Sequence, residues 1–305
     1  VVSLFSGAGG LDLGFIKAGH TIVWANDLFA DAVATYRKNI GDHIVERDIK
    51  EIDLGSIPNC DLVIGGFPCQ GFSVANQKRH EEDERNSLYL MYLEVLKKKK
   101  PKYFLAENVK GILSLGQGKV FEMIVRDFEG VGYRVAHRLL NAADFGVPQK
   151  RERVIIVGVR EDLNTMYRFP DPTHSEFPGT EGRLPWVPIG KALSRVPDPD
   201  TEHDLPNHTY SKFKLKFNGY LGNRAIDPEK PAPTVTARGD DKGGVVVLHH
   251  PNNQRRMSAR ELAATQSFDL DFEFCGNRSN VYRQIANAVP PLLAYRIAQN
   301  FGELA

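Results

Sequence analysis

Val1-Val2-Ser3-Leu4-Phe5-Ser6-Gly7-Ala8-Gly9-Gly10-Leu11 opens the chain with an apolar run, a turn of small residues and the start of a helical pattern. A strand, a glycine-rich turn and a helix form the opening unit of an α/β fold. Small residues there let the backbone approach a ligand, and the helix amides favour an anionic or polar group. The same turn can serve only to pack helix on strand, so the rest of the chain decides. Over the first 160 residues short apolar runs alternate with helix-spaced ones. This predicts an α/β fold of βαβ units, with a doubly wound, mostly parallel sheet. Predicted strands run from Val1 to Phe5, Thr21 to Asn26, Ile44 to Glu46, Leu62 to Gly65, Tyr103 to Glu107, Arg134 to Asn141 and Arg153 to Val159. Predicted helices run from Leu11 to Ala18, Ala30 to Asn39, Leu88 to Lys98 and Lys119 to Gly130.

After Arg160 prolines crowd together and helix periodicity fades, which predicts a second, smaller, loop-rich domain over 161–275 beside a first domain of 1–160. Ser258 stands three residues before Glu261, a capping-box spacing for a helix to Gln266. A final helix is expected after Asn287 or Pro291, running to Phe301 within a C-terminal segment, 276–305, that returns to the first domain.

A chain of 305 residues, 42% hydrophobic, can hold one large α/β core with a smaller partner. No apolar run approaches the roughly 18 residues of a membrane span. The first residues read as a strand and not as a signal peptide, and the missing initiator Met suggests a trimmed start. Cys60, Cys69 and Cys275 are too few for a disulfide framework and favour a reducing cytoplasm. No ligand spacing suggests a metal site. Net charge is only +1, but bases gather at Lys97 to Lys100, at Lys150-Arg151 and Arg153, at Lys212, Lys214 and Lys216, and at Arg255-Arg256. The lysine run fits a helix C-terminus. Lys212 to Phe217 reads either as an ordinary surface or as a half-buried strand facing a phosphate backbone.

Asp27 closes the second predicted strand twenty residues after Gly7, where a carboxylate accepts hydrogen bonds from ribose hydroxyls. Asp48, beyond the third, can hold an adenine amino group by the same acceptor logic. Either alone also reads as a solvated loop acid; together they favour an adenosine-containing cofactor. The turn lacks the strict dinucleotide glycine pattern and the chain has no phosphate-binding Gly-Lys-Ser/Thr loop, so S-adenosylmethionine fits better than NAD or ATP.

Leu62-Val63-Ile64-Gly65-Gly66-Phe67-Pro68-Cys69-Gln70-Gly71-Phe72-Ser73 lifts one thiol to the carboxyl edge of the sheet. Leu105-Ala106-Glu107-Asn108-Val109 ends another strand with a carboxylate at that edge, and Gln149-Lys150-Arg151-Glu152-Arg153-Val154 brings two arginines. A thiol, a carboxyl and a guanidinium in one cleft can attack a ring carbon, serve a ring nitrogen and bond a carbonyl oxygen, which an electron-poor pyrimidine demands. Without Cys69, Glu107 and Arg153 would read as a surface ion pair.

These ordered motifs, with Gln284-Ile285-Ala286-Asn287-Ala288-Val289-Pro290 near the end, resemble the DNA (cytosine-5)-methyltransferases, especially the compact bacterial type of restriction–modification systems. The resemblance spans nearly the whole chain. It implies a Rossmann-like core that uses S-adenosylmethionine, releases S-adenosylhomocysteine and needs no metal. It further implies addition of Cys69 to C6 of a flipped cytosine, with Glu107 at N3, Arg153 at O2, and Arg151 supporting the carboxylate or the backbone. Phe5, Gly7, Gly9, Gly10, Leu11, Asp27, Leu28, Asp48, Ile49, Pro68, Leu88, Asn287 and Ala288 match its cofactor-contacting positions. Val74 to Asn86 would be its closing loop, and roughly Asp162 to Ala232 its target-recognition region, followed by Pro233-Thr234-Val235-Thr236-Ala237-Arg238-Gly239. The implied partner is double-stranded DNA, met by a cytoplasmic monomer with no membrane contact; a cognate restriction endonuclease would act without stable binding. Asp27 stands where Glu is more frequent, Leu28 where an aromatic can stack on adenine, and Ala286 where Gly is common. Two other readings are an RNA methyltransferase of the same chemistry and a catalytically silent DNA-binding regulator, against which Cys69, Glu107 and Arg153 jointly argue.

Overall fold

The computed structural model describes residues 1–68, 86–177, 179–212, 215–218, 223–236 and 247–302. Seven strands form the main sheet: β1 (Val2–Leu4), β2 (Trp24–Asp27), β3 (Ile44–Glu46), β4 (Leu62–Gly65), β5 (Tyr103–Val109), β6 (Tyr133–Asn141) and β7 (Glu152–Arg160). Their order is β3-β2-β1-β4-β5-β7-β6. β1 to β5 are parallel, and β7 runs antiparallel between β5 and β6. Only 142–151 separate β6 from β7, fewer residues than a parallel crossover needs, so the chain turns back on itself there.

The interior strands are apolar on both faces, as a sheet covered on both sides requires. Along β5, Tyr103 and Leu105 enter one core while Phe104 and Ala106 enter the other; β7 sends Ile155 and Val157 to the first and Val154 and Ile156 to the second. Helices α1 (Gly10–Lys17) and α2 (Ala30–Asn39) supply the first core, and α3 (Asn86–Lys99) and α4 (Lys119–Gly130) the second. Tyr167 and Phe169, beyond β7, still pack in the first core beside Phe301.

The later chain carries a short parallel pair, β8 (His174–Ser175) with β9 (Leu184–Pro185), and helices α5 (Ile189–Leu193), α6 (Ala259–Thr265), α7 (Arg278–Asn287) and α8 (Pro291–Gly302). A third apolar cluster joins Ile189, Leu248, Leu262 and Phe274 to Val281 and Ile285 of α7 and to Ala8 of the first turn. Ser258 and Glu261 form the reciprocal capping box, with Ser258 N donating to Glu261 Oε2 at 2.7 Å and Glu261 N to Ser258 Oγ at 3.1 Å.

The structure resolves two open local readings and adds one helix. The terminal helix begins at Pro291, whose fixed φ and missing N–H suit a first helical position, and a separate α7 precedes it. α7 is mostly polar, and only Val281, Tyr282, Ile285 and Ala286 mark its buried apolar stripe. Lys212 and 215–217 form no strand: Lys212 lies 3.8 Å from Asp200 and over the Tyr210 ring, held by its own loop, while Phe213 and Lys214 lie outside the described residues.

α8 returns along α1 because α1 offers it glycine. A Cβ on Gly14 would collide with the backbone of Ala294 and Tyr295, so the two helices meet closely only without a side chain there. This contact brings 286–289 against the first turn of α1.

Candidate active site

Strand order reverses between β1 and β4, the switch point at which open α/β sheets bind ligands beyond their carboxyl ends. A cavity of about 460 Å³ opens there, within the range of small-molecule sites. Its walls are the turn after β1, the end of β2, Gly65 to Pro68 after β4, Glu107 to Val109 of β5, Arg153 of β7 and Ala286 to Val289 after α7.

The first turn carries stored strain. Phe5 has φ of 55°, in the left-handed region that a bulky residue seldom adopts, and Gly7 shares that φ. Ser6 N donating to Asn26 O at 2.9 Å and Ser6 Oγ donating to Ser3 Oγ at 2.9 Å hold the turn down. Asp27, half-buried at the end of β2, accepts from Gly7 N at 2.7 Å through Oδ2 and from Phe29 N at 2.8 Å through Oδ1. Burial raises its pKa, with the amides of Phe29 and Gly7 opposing. Each oxygen keeps a further lone pair for a ligand hydroxyl.

Glu107 and Arg153 meet on a second wall. Glu107 pairs in register with Ile155, and Arg153 lies two residues along on the same face, so the two are diagonal neighbours of an antiparallel pair. Arg153 Nε stands 2.6 Å from Glu107 Oε1, with the side chains only 11% and 13% exposed. The surface ion pair considered from sequence is therefore a largely buried one. Gly66 makes room for it, since a Cβ there would lie 2.8 Å from Glu107 Oε2. Asn108, for which the sequence alone implies no role, is buried and donates through Nδ2 to Phe67 O at 3.0 Å, tying β5 to the turn that precedes Cys69.

Arg151 stands apart from this pair. Its guanidinium is fully buried and donates to Val235 O at 3.0 Å, Ala286 O at 2.6 Å and Ala288 O at 2.9 Å. Burial, and next the charge of Arg153, press its pKa down while Glu107 opposes. Of the two supports expected of it, Arg151 gives the one to the backbone, and it is a positioning residue for Ala286 to Ala288. Gln149 and Lys150 join the same seam: Val235 N donates to Gln149 Oε1 at 3.2 Å, and Thr234 Oγ1 to Lys150 O at 2.6 Å.

The expected cofactor positions divide. Phe5, Gly7, Gly10, Leu11, Asp27, Pro68, Asn287 and Ala288 line the cavity. Gly9 caps α1 with φ of 83° just behind it. Leu28 points away, 66% exposed, whereas the neighbouring Phe29 is on the wall. Asp48 caps the 3-10 turn Ile49–Glu51 by accepting from Lys50 N at 3.0 Å, Ile49 is buried in the second core, and Leu88 packs against that core; none of the three lines the cavity. Cys69 lies outside the described residues, as do 74–85 of the expected closing loop and Ala237 to Gly239.

A further carboxylate went unassigned in the sequence. Asp12, in the first turn of α1, is fully buried on the cavity wall and accepts from Ser3 Oγ at 2.7 Å and Tyr36 Oη at 2.8 Å. Its position near a helix N-terminus suits an acid, which was the one available sequence signal. Among the described residues, no group of three or more His, Cys, Asp or Glu could hold a metal, and no helix is long and apolar enough to cross a membrane.

The same architecture recurs in solved structures. A candidate DNA modification methyltransferase encoded within an E. coli prophage superposes with a TM-score of 0.76 at 24% identity, covering 99% of this chain and 98% of that one. The Dnmt2 methyltransferase of S. pombe gives 0.73 at 22% identity, with the same coverage. In sequence, the Type II methyltransferase M.NgoFVII of Neisseria gonorrhoeae is 42% identical over 98% of this chain and 85% of its own length. M.BspRI of Lysinibacillus sphaericus, also a Type II methyltransferase, is 39% identical over 100% of this chain and 82% of its own. The family described as C-5 cytosine-specific DNA methylase matches residues 1–303, and the chain belongs to that family.

Proposed function

We propose that this enzyme methylates C5 of a cytosine flipped out of a short double-stranded DNA sequence, as the modification activity of a restriction–modification system. The observation that carries the proposal is the Glu107–Arg153 pair on one wall of the cavity whose other walls hold Asp27, the glycine turn and Asn287. The Type II relatives support the biological setting.

The cavity fits S-adenosylmethionine. Its volume suits a nucleoside with a short tail, the free lone pairs of Asp27 suit ribose hydroxyls, and Phe5 and Phe29 offer aromatic surface. When bound, this cofactor supplies an electrophilic methyl group. The protein's own residues make the other partner nucleophilic. The Cys69 thiolate adds to C6 of cytosine, forming an S–C6 bond as the C5–C6 π electrons move to C5 and onto the ring. Glu107 manages the proton gained at N3, and Arg153 bonds O2, so that the ring charge has a partner on both atoms. After C5 is alkylated, a base removes the C5 proton, the C5–C6 double bond reforms and the S–C6 bond breaks. Thiolate is regenerated and 5-methylcytosine remains. A stacked base exposes neither C5 nor C6 for this geometry, which requires extrusion.

In this reading 161–275 recognises the target, and Arg151 fixes 286–288 and Val235 relative to the catalytic strands. Bisulfite sequencing of plasmid from cells expressing the chain, beside a Cys69→Ala control, tests the proposal. Protected cytosines in one short recurring sequence, absent from the control, are expected. Equal protection in both cultures contradicts the covalent step, and none from soluble protein contradicts the DNA substrate.

A further inference from the structure

Asp12 has no part in the chemistry above, yet it is a fully buried carboxylate on the cavity wall. Its partners are neutral. Ser3 Oγ from β1 donates to one oxygen and Tyr36 Oη from α2 to the other; Ser6 Oγ backs Ser3, and His43 Nε2 lies 3.1 Å from Tyr36 Oη. Hydroxyls satisfy lone pairs but leave a charge without a counter-ion. Among the described residues no lysine, arginine or histidine contacts this carboxylate, and the Val1 amine exerts only the smallest of the influences on it. Burying an unpaired charge is costly, so a polar cluster of this kind needs a cation or a proton. Asp27, Glu107 and Arg153 stand on other parts of the wall, and the cation among them, Arg153, is already paired with Glu107.

We infer that Asp12 is a charge selector for the cofactor site, a fixed anion that favours the cationic sulfonium of S-adenosylmethionine over the neutral thioether of the product, S-adenosylhomocysteine. This rests on the cofactor reading above. It gives the site a means of exchanging product for substrate, because the two ligands differ in charge and one methyl group but share every other group. Burial pushes the carboxyl pKa up to about 6, so the selector is charged near neutral pH and is lost in acid.

The test is calorimetric affinity for each ligand separately, in wild type and Asp12→Asn, without DNA. Asp12→Asn is expected to shift the ratio of the two affinities roughly tenfold toward the thioether, the scale of two unit charges about 12 Å apart at an effective dielectric near 20. Loosening of the turn alone would weaken both ligands equally and leave the ratio unchanged, which overturns the inference. Tyr36→Phe, which keeps the charge, is expected to hold the ratio. If Asp12→Asn does not fold, the wild-type ratio from pH 8 to pH 5 decides: it falls as Asp12 takes up a proton, and a flat ratio overturns the assignment. If wild type binds neither ligand, the cofactor reading itself falls and the selector with it.

Discussion

At the scale of single residues, Glu107 and Arg153 owe their meeting to strand register. Glu107→Gln keeps the shape but cannot exchange the proton that N3 requires. Its turnover is expected to fall by about 10²- to 10⁴-fold, the usual contribution of a positioned acid or base, with cofactor affinity unchanged. Calorimetry beside methyl-transfer kinetics checks both halves. Asp12 makes a different prediction, on stability. Its folded pKa of about 6 lies above its ordinary value near 4. Such a group lends stability that is complete below about pH 4 and lost as pH rises through about 6. Two units correspond to roughly 3 kcal/mol. Without ligand, wild type is therefore expected to lose about that much stability relative to Asp12→Asn between pH 4 and pH 7.5. Urea unfolding of both proteins at each pH measures it, and parallel pH profiles contradict the burial of an ionised Asp12. Asp27, raised in the same direction, is present in both proteins and cancels in the comparison.

Residue identity was legible in the sequence where chemistry demands one side chain at a strand end. Glu107, Arg153 and Asp27 each lie at or within two residues of a strand end, and each reaches the cavity. Contacts between backbone and side chain were not legible. Asp48 has the acceptor chemistry proposed for it, but the Lys50 amide takes up one of its oxygens. Phe29, not Leu28, reaches the wall because position 28 faces out at the turn that starts α2. Asn108 and Asp12 are polar residues within apolar elements, and only the fold reveals what they bond.

Elements impose the next constraint, through two close contacts. Gly14 admits α8 against α1, so Gly14→Ala is expected to destabilise the protein by about 1–3 kcal/mol, or more if the helices cannot separate. A lowered thermal midpoint together with weaker cofactor binding checks this, since α8 follows directly on 286–289. Arg151 is the second constraint. Arg151→Met removes the donor to three carbonyls, each buried acceptor costing about 1–3 kcal/mol when unpaired. The variant is expected to unfold at a lower temperature and to bind cofactor weakly; unaltered binding by a folded variant contradicts its positioning of Asn287. Most strands and the first four helices could be read from periodicity, because apolar faces on both sides of the sheet leave a strong pattern. Chain direction was less accessible. The antiparallel β7 follows from the short connection after β6, a matter of length that alternation of apolar residues does not carry. α7 escaped because its few buried positions sit among polar ones.

For the whole molecule, the sheet gathers the ends of β1, β2, β4 and β5 with the start of β7 at one edge, and the end of α7 with the segment to Val289 adds the remaining wall. The cavity proposed for cofactor and base is thereby walled by residues as far apart in sequence as Phe5 and Asn287. The proposed mechanism turns on the covalent step, which 5-fluorocytosine probes because fluorine at C5 blocks the elimination that frees the thiol. Wild-type protein incubated with S-adenosylmethionine and target DNA carrying this base is expected to give a denaturant-stable protein–DNA adduct that maps to Cys69 and is absent from Cys69→Ala. No adduct on DNA that the enzyme methylates when cytosine is present would contradict the mechanism.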